Sequence, residues 1–137
     1  FPQEDELARN AADKNADALA SLQAICRSAL ELLAADVGRQ RLLSIMLHRC
    51  EFLGDLQELA DRRRDEILRS RDLFVRLLTR AAHKNQLAPS WSPRSAAFTL
   101  HSMMIGLVDQ WLRDPTSFDL RREGNACLER LFNSFKR

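Results

Sequence analysis

Residues 16–35 read ADALASLQAICRSALELLAA, and the placing of their apolar members decides the fold class. Leu19, Leu22, Cys26, Ala29, Leu30 and Leu33 recur at intervals of three and four, the spacing that gathers side chains on one face of an α-helix. The rest of the chain agrees with a helical reading. Its 137 residues are 45% hydrophobic and 29% charged, with four Gly, four Pro and no Tyr, which leaves few turn-formers for a β-rich fold. A chain of this length buries roughly two thirds of the surface exposed when it is unfolded, enough for one self-sufficient core spanning residues 1–137.

Upstream of that helix, residues 4–14 are polar and Ala-rich with only Leu7 as an anchor, as at the frayed end of a helix that began earlier. Phe1 and Pro2 stand in place of an initiator Met, so the chain reads as a fragment. Downstream, Asp36 is placed to cap a second helix in which Leu42, Leu43, Ile45, Met46 and Leu47 are apolar almost all round, which predicts a helix running through the interior. After Gly54 a long helix is expected from about Asp55 to His83, with Leu56, Leu59, Ala60, Ile67, Phe74, Leu77, Leu78 and Ala81 as its stripe. Counting in sevens from Leu56 reaches Arg63, Ser70 and Leu77, so two polar groups either face a cavity or sit at the edge of the stripe.

A turn at residues 85–90 leads to Ser92 and Pro93, an N-cap followed by Pro at the first helical position, and the helix they start should run to about Arg113, where Pro115 stops it. Asp119 caps a last helix with Leu120, Cys127, Leu128, Leu131, Phe132 and Phe135 on its apolar side. The expected architecture is all-α, a bundle of five to six helices without internal repeats. Residues 98–112 are apolar on more than one side, more than a five-helix monomer can cover, which predicts a symmetric partner. Gly106, costing about 1 kcal/mol relative to Ala inside a helix, would let a neighbouring helix, of this chain or of a dimer partner, approach closely.

Several function classes are excluded by the same residues. Twenty-one basic and nineteen acidic side chains give a net charge of +2, too balanced for a chain built around a polyanion. Cys26, Cys50 and Cys127 are odd in number and far apart, which argues against a disulfide framework and for a reducing cytoplasm. The apolar run at 98–112, interrupted by His101, Ser102, Asp109 and Gln110, falls short of the ~20 residues of a membrane helix, and no membrane contact is expected. His48 and Cys50, two apart on a helix, point to different sides, and no further His or Cys lies at ligand spacing, so no metal site is expected. There is no Gly-rich phosphate loop, no triad and no converging pair of carboxylates, so neither catalytic residues nor a cofactor are assigned. The basic run from Arg62 to Lys84 is interleaved with Asp61, Asp65, Glu66 and Asp72 and reads as a solvated, ion-paired face.

Two stretches carry a resemblance. Residues 41–52, RLLSIMLHRCEF, and residues 106–115 with 117–120, GLVDQWLRDP and SFDL, resemble the effector domain of TetR-type repressors, in the branch that controls multidrug efflux pumps. The likeness extends over residues 7–135. It implies a homodimer formed by the last two helices, with Gly106, Gln110, Leu128, Leu131, Phe132 and Phe135 at the interface. It also implies a drug-sized cavity in each subunit for an apolar or amphipathic effector, and operator DNA bound only through an upstream helix-turn-helix unit outside this chain. Cavity-facing positions fall on Leu43, Leu47, Ser70, Phe74, His101, Met104 and Ile105. Each of these alone could equally be core, and His101 could be hydrogen-bonded structure in place of a ligand contact. A helical dimerisation module holding no small molecule is the competing reading.

Overall fold

The computed structural model describes residues 5, 6, 8, 9, 17–48 and 57–137. Among them are five helices of twelve residues or more: α1 (Ala18–Ala35), α2 (Val37–His48), α3 (Gln57–His83), α4 (Pro93–Arg113) and α5 (Leu120–Phe135). Asp5, Glu6, Ala8 and Arg9 are helical as well. Four of the helix starts, those of α1, α2, α4 and α5, are fixed by the short polar side chains that precede them. Asp17 accepts from Ala20 N–H at 3.1 Å, Asp36 from Arg39 N–H at 3.2 Å, and Asp119 from Arg121 and Arg122 N–H at 3.0 and 3.2 Å. At α4 the box is reciprocal: Ser95 N–H donates to Ser92 Oγ at 3.0 Å, and Ser92 N–H donates to Ser95 Oγ at 3.2 Å. Each cap supplies an acceptor to N–H groups that the helix itself leaves unmatched.

The turn after α3 is sharper than its polar composition suggests. Asn85 takes φ +58°, the left-handed conformation that Asn tolerates better than most residues, and Gln86 N–H folds back onto Ala81 C=O at 2.8 Å. The chain then pairs with its own end. Ala88 N–H donates to Phe135 C=O at 2.7 Å and Arg137 N–H to Gln86 C=O at 3.1 Å, an isolated antiparallel bridge centred on Leu87 and Lys136.

Packing is led by α3 against α4 and by α1, which lies against both α5 and α3. By length and composition α1 passes for a membrane span, with mean hydropathy 1.3 over its 18 residues. Its stripe is buried in the bundle instead: Leu19, Leu22, Ile25, Cys26, Leu30 and Leu33 are all buried. Opposite them, Leu128, Phe132 and Phe135 are fully buried, and Phe135 stands edge-on to Trp91 and to Phe132, with ring centroids 5.1 and 5.2 Å apart.

Several expectations need correction. The helix α2 does not run through the interior: Val37 is 58%, Leu42 51% and Ile45 40% exposed, because only one side of it meets the bundle. Leu128, Phe132 and Phe135 have no surface left to offer a partner, since the core of a single chain already encloses them. Gln110 is exposed and Gly106 and Leu131 half-buried, so these three keep surface available. At the start of α4 the guanidinium of Arg71 lies 4.3 Å and that of Arg94 5.6 Å from the centre of the Phe98 ring, which stays exposed. Among the described residues outside its own turn of helix, nothing comes within 4 Å of a Cβ placed on Gly106, which leaves that surface open to a partner. The close approach is at Gly124, where a Cβ would stand 2.5 Å from Leu30 Cδ1.

At Gly124, where α5 crosses α1, any larger residue would have to displace the end of the buried Leu30 side chain. Gly124→Val should lower the unfolding free energy by about 2 kcal/mol, the scale of overpacking a close-packed core, despite the gain from removing a helical glycine. Urea unfolding followed by circular dichroism checks this; an unchanged midpoint would mean that the crossing relaxes freely.

Candidate ligand-binding cavity

Between α1, α2, α3 and α4 lies a cavity of about 220 Å³. An apolar cavity of roughly 150 Å³ accommodates benzene, so this space suits a body of more than one ring. Leu43, Leu47, Ser70, Phe74, His101, Met104 and Ile105, the seven positions singled out in the sequence, all line it. Helical periodicity brings them there. Leu43 and Leu47 are one turn apart on the inner side of α2, and His101, Met104, Ile105 and Val108 follow the spacing of one face of α4.

On α3 the wall changes character along its length. Arg63, Glu66, Ser70 and Phe74 share a face, running from charged to aromatic. This resolves the two polar breaks in the stripe, both of which face the cavity. It also corrects part of the reading of the basic run. Arg64 is ion-paired to Asp61 at 2.7 Å on an exposed surface, as expected of a solvated face, but Arg63 and Glu66 turn inward.

The contribution of α1 was not visible in the sequence. Ile25, Cys26, Ala29, Leu30 and Leu33 line the cavity, yet their spacing is that of any core stripe, and only the small Cys26 and Ala29 hint that space is left beside them. Burial pushes the Cys26 thiol up to about 12, so it meets a ligand as a small apolar group, not as a nucleophile. Cys26 and Cys127 are both free. His48 lies at the end of α2, but its side chain and Cys50 fall outside the described residues; among those described, no cluster of His, Cys, Asp and Glu could hold a metal ion.

The electrostatics of the wall centre on His101. Its ring stands edge-on to Phe74, centroids 5.5 Å apart, and it makes no hydrogen bond to another described residue. Burial, followed by the nearby charges of Arg71 and Arg63, pushes its pKa down to about 4, so at neutral pH the imidazole is uncharged. Arg63 is itself disfavoured as a cation by burial, an effect that the Glu66 carboxylate opposes. The cavity thus combines a mostly apolar wall with a few polar groups converging from α3 and α4, the usual make-up of a small-molecule site.

Known proteins share this sequence pattern and fold. Residues 17–137 match the family described as MAATS-type transcriptional repressor, C-terminal region. The chain is 31% identical over 136 residues to the HTH-type transcriptional repressor BepR of Brucella suis biovar 1 (strain 1330), covering 99% of this chain but 65% of that protein. Among solved structures, NalD, the secondary repressor of the MexAB-OprM multidrug efflux pump in Pseudomonas aeruginosa, superposes with a TM-score of 0.83 at 31% identity, covering 100% of this chain and 68% of NalD. A SmeT–triclosan complex has the same fold, with a TM-score of 0.88 at 24% identity, covering 99% of this chain and 65% of SmeT.

A buried neutral histidine makes stability depend on acid. The unfolded chain takes up a proton near pH 6.5 while folded His101 resists until about pH 4, so its contribution is complete above pH 6.5 and lost as pH falls from 6.5 toward 4. His101→Gln should flatten the loss of stability across that window, measured as urea midpoints at pH 7.5 and 5.0. Parallel losses in both proteins would mean that the imidazole is not held neutral.

Proposed function

The chain belongs to the TetR-type (MAATS-type) transcriptional repressors, whose C-terminal region it matches, and from that premise we propose that it is the effector-binding and dimerisation domain of a repressor of multidrug efflux. The observation that carries this reading is the cavity: side chains from four helices converge on a mostly apolar space of about 220 Å³. That openness favours a ligand-binding domain over a purely structural dimerisation module. The efflux assignment draws support from NalD, a repressor of a multidrug pump at 31% identity.

In the longer protein, a cytoplasmic repressor, an upstream helix-turn-helix unit would grip operator DNA as a dimer, and an apolar or amphipathic effector would release it. Release requires differential affinity: an effector shifts the population only in so far as it binds the DNA-free arrangement more tightly than the DNA-bound one. Since four helices contribute wall, a ligand that fits one spacing of those helices better than another has the leverage this needs. For the dimer, α4 offers Gly106, Gln110 and the half-buried Met103 and Leu107, and α5 offers Leu131.

Titration calorimetry with efflux substrates, triclosan among them, should give saturable binding at one site per chain. Leu47→Trp and Met104→Trp should fill the space and abolish it while leaving the dimer intact; undiminished affinity in both would remove the cavity as the site. Gly106→Glu should convert the dimer to a folded monomer in sedimentation velocity, and an unaltered sedimentation coefficient would take Gly106 out of the interface.

A further inference from the structure

An apolar wall grips a ligand without orienting it, so orientation must come from the few polar atoms in the cavity. Two of these are unusual. Arg63 Nε and Glu66 Oε2 are both buried, and neither has a hydrogen-bond partner among the described residues. They sit three residues apart, on the face of α3 that lines the cavity, and these two atoms are not bonded to each other. A buried donor or acceptor left unmatched is costly, and more so on a charged group, which is why such atoms in a native site point to something that completes them.

The neighbouring cations are already engaged. Arg39 Nε lies 3.4 Å from Asp36 Oδ2, and the Arg71 guanidinium covers the Phe98 ring. The uncharged His101 adds no charge of its own. Among the charged groups of the wall, Arg63 Nε is left as an open donor and Glu66 Oε2 as an open acceptor, on side chains whose charges offset each other.

We propose that Arg63 and Glu66 form a two-point anchor selecting an uncharged aromatic ligand with a hydroxyl at one end, its oxygen accepting from Arg63 Nε and its O–H donating to Glu66 Oε2. This rests on the effector reading above and specifies its ligand. A hydroxyl is the smallest group that both donates and accepts. A carboxylate would satisfy Arg63 but face the Glu66 carboxylate, an ammonium would reverse the conflict, and a hydrocarbon would leave both atoms unmatched. From the anchor the wall continues through Ser70 to the edge-on pair of Phe74 and His101, so the ring system lies toward the aromatic end.

The test uses four probes of one size, 2-naphthol, 2-methylnaphthalene, 2-naphthoate and 2-naphthylmethylamine, titrated into the 137-residue chain by calorimetry. The naphthol should bind about tenfold or more tighter than each of the others. In Arg63→Met/Glu66→Leu, which should fold because apolar side chains of similar length replace the pair, 2-methylnaphthalene should bind as before and the naphthol no better than it. Equal binding of naphthol and methylnaphthalene to the unaltered chain would overturn the anchor while leaving the effector reading standing. A preference for either charged probe, or a naphthol preference that survives in the double variant, would overturn it in the same way. Silence from all four probes would overturn the effector reading together with the anchor.

Discussion

The crossing of α1 over α5 is the constraint on which the rest of the molecule depends. Leu30 is the shared element: one of its methyl carbons occupies the space that a side chain at position 124 would need, and the same residue forms part of the cavity wall. At Gly124 α5 lies close against Leu30, and further along the same helix Leu128, Phe132 and Phe135 are fully buried. With α1 seated on α5 in this way, Cys26, Ala29 and Leu33 are presented to α2, α3 and α4 as a fixed wall. Core and cavity are two sides of one helix, so the packing that stabilises the bundle also sets the shape of the site.

This double use explains which parts of the molecule were legible in the sequence. Helix starts were readable because a cap is local: Asp36, Ser92 and Asp119 act on N–H groups within three residues. The sides of the helices were harder. Periodicity shows that Leu42 and Ile45 are apolar but carries no information on what stands opposite, and α2 proves to be covered on one side only. The resemblance put Phe132 and Phe135 at an interface, and their spacing could not object, because an apolar face turned to its own core and one turned to a partner have the same spacing.

The cavity was legible in unequal parts. Its α2 and α4 walls came from resemblance, and the spacing of Leu43 with Leu47 and of His101 with Ile105 is compatible with it. The α1 wall looked like ordinary core, and in burial it is ordinary core. Arg63 and Glu66 were hidden by their neighbours. Set among Arg62, Arg64 and Asp65, they read as one more alternation of solvated charge, and only the heptad count from Leu56 marked position 63 as inward-facing.

The pairing of the chain's end with the turn after α3 has a mechanical consequence. Hydrogen bonds from Ala88 to Phe135 and from Arg137 to Gln86 fasten the end of α5 to the connection that follows α3. The cavity lies toward the opposite end of α3, where Arg63 to Phe74 face it. A beam clamped at one end deflects least at the clamp and most at its far tip. Forces arising at Arg63 to Phe74 therefore act at a distance from the clamp beside Leu87 and have leverage on α3 about it.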